Sequence, residues 1–304
     1  MLGDVIKWTL LACFVSSVVY VQLRGKVKQR WLRQMFDHSA LLAPLNVLMY
    51  VSSKVPTRQP YLPSSTFPEI VELEKHWQTI RDEALELQRQ ERIRASARND
   101  DAGFNSFFKE GWKRFYLKWY DDPPPSAAQC PRTVALLREV PCIKAALFAY
   151  LPAGAVLNPH RDPYAGSLRY HLGLVTPNDD RCRIWVDGEP YSWRDGQGII
   201  FDETFVHTVR NETDQDRLIL LCDVERPVTN PIARAINRYF SRNVMSAAAS
   251  PNDARDRTGV IGKLFVVSHV MGRERRRFKR WSPLAYNATR IALAAVVVGL
   301  FIWW

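Results

Sequence analysis

Short segments rich in β-branched and aromatic residues follow one another between residues 144 and 224, and they constrain the fold more than any other feature. Clusters of glycine, proline, asparagine and aspartate separate them, which is typical of turns between strands. Short strands with frequent turns form a sandwich, a jelly roll or a barrel. We therefore predict a mainly β core with the strands Lys144–Leu151, Leu168–Val175, Cys182–Val186, Gly198–Asp202, Val206–Arg210 and Arg217–Val224.

Two histidines and one aspartate within this region have the spacing of a metal site. His160 and Asp162 stand two residues apart, so on an extended segment both side chains point to the same side. With His207 they supply two imidazoles and one carboxylate, the ligand set of non-haem Fe(II) oxygenases. The spacing leaves a second interpretation open, because a histidine among apolar residues, as in Phe205–Val209, is often a core residue. A double-stranded β-helix, which brings distant strand ends together, would join the three side chains.

Three basic residues on the predicted strands have side chains suited to an anionic ligand. Arg217 opens the last strand, and a guanidinium binds a carboxylate such as that of 2-oxoglutarate through two hydrogen bonds. A salt bridge at the barrel rim with Asp214 or Asp216 is the alternative. Arg169 and His171 share one face of their strand. In the barrel interior they would need an anionic partner, because a buried unpaired charge is costly, whereas on the outer face they would be solvated.

Five motifs follow one another along residues 140–227. They are Asn158–Pro163, Leu168–Leu174, Cys182–Ile184, Gly198–His207 and Arg217–Leu220. Together they resemble the aspartyl/asparaginyl β-hydroxylase family of Fe(II)/2-oxoglutarate dioxygenases, and several ordered motifs are more specific than one. The resemblance implies a double-stranded β-helix (a jelly-roll or cupin-like fold), Fe(II) as the cofactor, and 2-oxoglutarate and O₂ as cosubstrates.

The resemblance also implies roles for individual residues. Asp202 and Glu203 lie close before His207 and compete as ligands, but the family pattern argues against both. The animal members have glycine at the position of Asp162, so this chain keeps the full ligand set and departs from the peptide-hydroxylating branch. The implied catalytic metal ligands are His160, Asp162 and His207, and the implied cosubstrate-pocket residues are Arg217, which binds the 2-oxoglutarate tail, His171 and Arg169.

Apolar stretches at both ends of the chain are close to the length that crosses a bilayer. Crossing takes about 20 residues in a helix, and Val5–Leu23 and Leu284–Trp304 both approach that length. The first could instead be a signal peptide, but its basic residues follow the apolar run rather than precede it. Basic clusters at 24–33 and 273–280 carry nearly all of the formal net charge of +11. Because positive flanks stay cytoplasmic, we predict that residues 24–283 lie in the cytosol.

A dioxygenase at the cytoplasmic face of a membrane would be positioned to act on a lipid, and its basic flanks would attract anionic headgroups. The rest of the chain is nearly neutral, which argues against a nucleic-acid-binding domain. Within the family this architecture resembles the lipid A hydroxylases of the bacterial inner membrane, which implies 2-hydroxylation of a secondary acyl chain. Another acyl lipid such as ornithine lipid, an Asp or Asn side chain of a protein, and a binding protein with an inactive barrel are the alternatives.

Segments before the predicted strands should cover the barrel or meet the membrane. The apolar patch 41–51 is too short to span a bilayer and suits an interfacial or a core segment. Residues 55–68 are proline-rich and predict an extended linker, whereas 69–97 has the periodicity of an amphipathic helix packed on the barrel. The aromatic residues of 104–120 should cover one barrel face or form the wall of an acyl-chain pocket.

The sequence thus divides into five predicted segments. Its five cysteines include no close-spaced pair and predict neither a disulfide framework nor a zinc site. The segments are an N-terminal transmembrane anchor (1–24), a juxtamembrane or interfacial segment with a linker (25–68), the dioxygenase domain with covering helices (69–228), a helical juxtamembrane segment (229–283) and a C-terminal transmembrane anchor (284–304).

Overall fold

The computed structural model describes residues 2–31, 34, 37–96, 98–120, 123–289 and 292. Its helices are α1 Leu2–Leu23, α2 His38–Leu41, α3 Ala43–Ser52, α4 Pro68–Glu74, α5 Trp77–Arg89, α6 Pro131–Arg138, α7 Pro231–Phe240 and α8 Val260–Trp281. Its strands are β1 Tyr61–Leu62, β2 Lys113–Trp119, β3 Ile143–Leu151, β4 Val156–His160, β5 Ser167–Val175, β6 Cys182–Val186, β7 Glu189–Ser192, β8 Gly198–Phe201, β9 His207–Asn211 and β10 Arg217–Glu225.

The strands form two antiparallel sheets. The larger has the order β1-β8-β5-β10-β3-β2, and the smaller has the order β4-β9-β6-β7. From β3 onward the chain passes back and forth between them, because β3, β5, β8 and β10 belong to the larger sheet and the strands between them to the smaller. This alternation is the strand path of a double-stranded β-helix. The predicted mainly β core is therefore confirmed.

All six predicted strands are present, each within one residue of its predicted ends. Four strands were not predicted, and they lie at sheet edges or lack a clear alternation of apolar residues. β2 belongs to the aromatic segment expected to cover the barrel, and instead it forms one edge of the larger sheet. β1 lies within 55–68, the segment predicted to be an extended linker. For Tyr61 and Leu62 that prediction was wrong, because they pair with β8. β4 and β7 each contain a proline, which weakens a strand signal.

The side chains of β10 alternate between two cores, as strand geometry requires. Leu218, Leu220 and Cys222 pack on the side of the larger sheet that carries the helices. Ile219 and Leu221 belong to the core between the two sheets. Arg169 and His171 of the neighbouring strand β5 point into the same space between the sheets, where the candidate site lies.

Two helices, rather than the single helix predicted over 69–97, cover the larger sheet. α4 packs through Ile70 and Leu73, and α5 packs through Ile80 and Leu87. The chain bends at His76, between the two helices, and α5 ends at Arg89. The predicted packing of an amphipathic segment on the barrel is confirmed. Because the chain bends between α4 and α5, the apolar face of each helix can follow the twist of the sheet.

The N-terminal helix α1 is long and apolar enough to cross a bilayer, and almost all of its most apolar stretch is exposed. The predicted C-terminal span lies mostly outside the described residues. The apolar patch 41–51 forms most of α3, with Met49 and Tyr50 buried against α1 and α7 while Leu41 and Val51 are exposed. The buried side of this segment thus suits the predicted core role, and its exposed side suits the predicted interfacial role.

Candidate metal centre

Three side chains predicted to bind metal converge at one end of the space between the sheets. His160 ends β4 and His207 begins β9, and the two residues are direct partners across that strand pair. A register shift between Leu157 and His160 precedes the first ligand. The imidazole centroids are 4.2 Å apart. Asp162 follows just beyond β4, and one ligand atom of each of the three residues lies within 4.8 Å of the others.

Backbone carbonyls orient both imidazoles. Nδ1 of His160 is 2.8 Å from the carbonyl oxygen of Asn158, and Nδ1 of His207 is 3.0 Å from that of Phe205. With a proton on each Nδ1, both Nε2 lone pairs are free for a metal ion, an arrangement that usually accompanies metal-binding histidines. Burial, and then the neighbouring His160, lower the pKa of His207 to about 3, so its imidazole is neutral at neutral pH.

The third ligand is held by a buried arginine. Arg169 donates from Nη2 to Oδ2 of Asp162 at 2.6 Å, and its guanidinium also contacts Glu203 and Asp223. Burial opposes ionisation of Asp162, but Arg169 and the imidazoles lower its pKa to about 2. Burial and the nearby carboxylates Asp223 and Asp162 raise the pKa of Glu203 well above its usual range, despite Arg169. The Arg169 guanidinium thus contacts three carboxyl groups, those of Asp162, Glu203 and Asp223. A divalent cation bound at Asp162 would balance the negative charge that one guanidinium leaves uncompensated.

The same cavity contains a buried cation with no acidic partner. The Arg217 guanidinium stacks over the Trp193 ring at 4.3 Å, and burial lowers its pKa to about 10. Its Nε has no hydrogen-bond partner, and among the described residues no carboxylate forms an ion pair with it. The alternative of a rim salt bridge is wrong, because Asp216 instead accepts hydrogen bonds from the Tyr150 hydroxyl and the Ala153 amide. A buried guanidinium of this kind is suited to bind an anion.

His171 lies in the same cavity as Arg217, and neither of its ring nitrogens has a hydrogen-bond partner within the described part of the chain. Burial and the nearby Arg217 lower its pKa well below the usual range, so the imidazole is neutral. Its ring also contacts Phe201 and Trp193. His171 therefore offers a neutral hydrogen-bonding group beside the cationic group of Arg217.

Aromatic side chains form the apolar wall of this cavity. Phe104, Phe107 and Trp112 line it together with the metal-site residues. The Phe107 ring lies 4.8 Å from the His160 ring. The predicted aromatic segment therefore contributes three of its rings directly beside the candidate metal site.

The profile of the family described as Aspartyl/Asparaginyl beta-hydroxylase matches residues 74–227. The chain belongs to this family. An ornithine lipid ester-linked acyl 2-hydroxylase of Rhizobium tropici is 31% identical over 181 residues, 59% of this chain and 64% of that relative. The human aspartyl/asparaginyl beta-hydroxylase is 29% identical over 220 residues, 69% of this chain and 26% of that relative. The matched region thus covers less than two thirds of both relatives.

Among solved structures, a Pseudomonas putida prolyl-4-hydroxylase is 19% identical, with 49% of this chain and 87% of that chain covered and a TM-score of 0.33. The family resemblance predicted from the five motifs is confirmed by the family profile. The chain is accordingly a member of a hydroxylase family.

Within the family fold, the structure brings together all six predicted site residues. The interior placement of Arg169 and His171 agrees with the family-based expectation, although Arg169 contacts the ligand Asp162 rather than an open part of the cavity. Asp202 and Glu203 do not join the ligand cluster, because both are already bound by arginines. Sequence reasoning missed the structural importance of Asp223, although an acidic residue in an otherwise apolar strand was a usable signal.

Proposed function

We propose that this chain is an Fe(II)- and 2-oxoglutarate-dependent dioxygenase that hydroxylates C2 of a secondary acyl chain of lipid A. One observation carries the dioxygenase assignment: the His160–Asp162–His207 cluster shares its cavity with the buried, unpaired Arg217. The ligand set suits Fe(II), and the arginine suits a dicarboxylate cosubstrate.

The described residues fit the cofactor and cosubstrate that this chemistry needs. When bound, Fe(II) with 2-oxoglutarate and O₂ supplies the oxidising power for C–H hydroxylation. His160, Asp162 and His207 would hold the metal through two imidazoles and one carboxylate. Arg169 keeps that carboxylate oriented, and Arg217 would bind the distal carboxylate of 2-oxoglutarate. The aromatic wall excludes water from the reacting region.

The position of α1 relative to the site supports a lipid substrate. Arg161, which lies between two ligands, donates a hydrogen bond to the Val21 carbonyl near the end of α1. The metal centre therefore lies within side-chain reach of the end of the candidate span. C2 of an acyl chain is next to the carbonyl group, close to the polar surface of a bilayer rather than at its centre. A site beside the end of a membrane helix is well placed to reach that carbon.

An exposed face of α7 also supports a position of the catalytic domain at the membrane surface. Ile232, Ile236 and Tyr239 are exposed on this helix. Arg234 and Arg238 line an adjacent surface cleft. An amphipathic helix of this kind lies in the interface, with apolar residues toward the acyl chains and arginines toward the headgroups. We propose that the protein resides in the bacterial inner membrane with its catalytic domain in the cytosol.

A second candidate substrate is ornithine lipid. The observation that favours it is the similarity to the Rhizobium tropici protein, whose name gives an ornithine lipid ester-linked acyl 2-hydroxylase. Both lipids present an acyl C2 position near a polar headgroup, so the site geometry suits either. An Asp or Asn side chain of a protein, the substrate type in the name of the human relative, is the remaining alternative.

Mass spectrometry of whole-cell lipids tests these proposals. Cells that express the wild-type chain are compared with cells that express His160→Ala, and with cells that lack the gene. One added oxygen on lipid A in the wild type alone supports the proposal, whereas one on ornithine lipid supports the second candidate. Unchanged lipids with hydroxylated Asp or Asn in cell proteins would indicate a protein substrate. No added oxygen on lipid or protein would refute the proposed function.

A further inference from the structure

The polypeptide at the end of α1 contacts the loops that carry the metal ligands. We call residues 21–27 the collar. The sequence predicted that the basic residues after α1, including Arg24, face lipid headgroups. For Arg24 that prediction is wrong, since its side chain is 3% exposed and lies inside the protein.

The first contact joins the collar to the ligand loop after β4. Arg161 stands between His160 and Asp162, and its Nη1 donates to the Val21 carbonyl oxygen at 3.0 Å. The last four carbonyls of a helix have no partner within the helix, and Val21 provides one of them. Because Arg161 is buried, this bond ties the helix end directly to the segment that holds two ligands.

The second contact joins the collar to the turn between β8 and β9. The Arg24 guanidinium pairs with Asp202, donates to the Thr204 hydroxyl at 2.6 Å and stacks on the Phe205 ring at 3.9 Å. Arg226 pairs with the same Asp202 carboxylate at 2.8 Å. This turn leads directly to the ligand His207.

The turn also reaches the third ligand through a backbone bond. Glu203 follows Asp202, and its carbonyl oxygen accepts a hydrogen bond from the Asp162 amide at 2.9 Å. Movement of the Arg24–Asp202 pair would therefore be transmitted to both sides of the metal site, that is, to Asp162 and to His207.

The third contact joins the collar to the turn between β6 and β7. The Val27 amide donates to Oδ1 of Asp187 at 2.8 Å, and the Asp187 amide donates to the carbonyl oxygen of Val206, the residue before His207. A Cβ atom on Gly25 would lie 2.6 Å from the same Asp187 oxygen, so the close approach requires glycine there. The collar thus meets three turns around one metal site.

We propose that the collar is a positioning element of the metal centre, so that docking of the end of α1 sets the geometry of His160, Asp162 and His207. The inference rests on the proposed function, because it presumes that these residues bind a metal. Asp162 lies beyond the end of β4, where Arg169 and the Glu203 carbonyl hold it, and the collar in turn holds the turn that carries Glu203 through the Arg24–Asp202 pair. The membrane helix is therefore part of the catalytic unit and not only an anchor.

Metal binding without turnover tests the role of the collar. The full-length chain in lipid nanodiscs is titrated anaerobically with Co(II) alone, and both the affinity and the d–d absorption spectrum are recorded. The variants are Arg24→Ala and Arg24→Lys. Arg30→Ala is the matched control, because Arg30 is an exposed arginine of the same basic cluster outside the collar. Thermal unfolding of the metal-free proteins is recorded in parallel.

We expect Arg24→Ala to weaken Co(II) binding by about tenfold or more and to shift the d–d spectrum, as loss of groups that orient metal ligands commonly does. Arg24→Lys should restore part of the affinity, because an ammonium can pair with Asp202 but cannot form the planar fork. Arg30→Ala should stay within about twofold of the wild type, since solvated charges contribute little.

A folded Arg24→Ala variant with wild-type Co(II) affinity and spectrum would overturn the proposal, as would an equal loss in Arg30→Ala. If Arg24→Ala does not fold, Arg161→Met is tested instead, because it removes the bond to the Val21 carbonyl and leaves Arg24 in place. Wild-type Co(II) affinity and spectrum in folded Arg161→Met would then overturn the proposal. Failure of the wild type to bind Co(II) would instead refute the proposed function, so the two failures are distinguishable.

Discussion

Replacement of Arg217 by methionine should separate cosubstrate binding from folding. Methionine keeps much of the apolar volume beside Trp193 and removes the guanidinium. Arg217 is buried without an acidic partner, and its pKa is lowered to about 10. A lowered pKa in a cation means that folding disfavours the charged form, and a lowering of this size corresponds to about 3 kcal/mol. The ligand-free Arg217→Met variant should therefore be more stable than the wild type, by about 1–3 kcal/mol in the free energy of unfolding.

The same substitution should weaken 2-oxoglutarate binding. Each hydrogen bond between a guanidinium and a carboxylate contributes about 1.5–3 kcal/mol, and two are lost. We expect the dissociation constant of 2-oxoglutarate to rise by about 10²–10³-fold, equivalent to about 3–4 kcal/mol. Affinity for Co(II) should not change, because Arg217 is outside the ligand cluster.

Anaerobic titration of the Co(II)-loaded protein with 2-oxoglutarate in a calorimeter measures the affinity, and denaturant unfolding of the metal-free protein measures the stability. Arg210→Met is the matched control, because Arg210 also lies over a tryptophan ring, that of Trp185, but is 51% exposed. Arg210→Met should change neither the 2-oxoglutarate affinity nor the free energy of unfolding. Unchanged 2-oxoglutarate affinity together with reduced stability in Arg217→Met would show that Arg217 is a structural residue, and the cosubstrate assignment would fail.

Three further predictions concern the ligand set, pH and the aromatic wall. Asp162→Gly should weaken Co(II) binding at least about 100-fold, as a spectroscopic titration would show, because two imidazoles remain without their carboxylate. Arg24 and Arg226 lower the pKa of buried Asp202 to about 2, so ionised Asp202 contributes about 2 kcal/mol of stability above pH 4, and this is lost as the pH falls from about 4 to 2. In Asp202→Asn the free energy of unfolding should therefore depend less on pH between 4 and 2. An unchanged pH dependence would contradict the pairing of Asp202 with the two arginines. Phe107→Ala should reduce lipid hydroxylation while Co(II) and 2-oxoglutarate binding stay at wild-type levels, and a parallel loss of Co(II) affinity would show that Phe107 supports His160 instead.

Arg169 is surrounded by acidic groups beside the candidate metal centre. Its guanidinium contacts Asp162, Glu203 and Asp223, all of them on the interior face. Removing it would leave buried carboxyl groups close together, which is costly. Arg169 lines the cavity as predicted, but its contacts are those of a group that orients Asp162 rather than of one that binds 2-oxoglutarate.

The barrel strands were predictable because their signal is local. In β5 the apolar residues alternate with others, and β10 contains a continuous apolar run; turns bound both strands, and their ends were predicted within one residue. Edge strands such as β2 and β7 were not predicted, because β2 lacks a clear alternation of apolar residues and β7 contains a proline. The break between the two helices at His76 was not predicted either, because residues 74–77 contain no proline or glycine that would mark a helix end.

The sequence by itself predicted the hydroxylase family, the jelly-roll core and the three candidate ligands, because motif spacing and strand patterns can be read from short segments of the chain. Only the tertiary structure decided what surrounds those ligands. Arg24 and Asp202 are 178 residues apart in the chain, yet they form a buried ion pair beside the metal site. Whether a basic residue after a membrane helix faces lipid or enters the protein depends on which carboxylate folding brings within reach, and no local pattern contains that information.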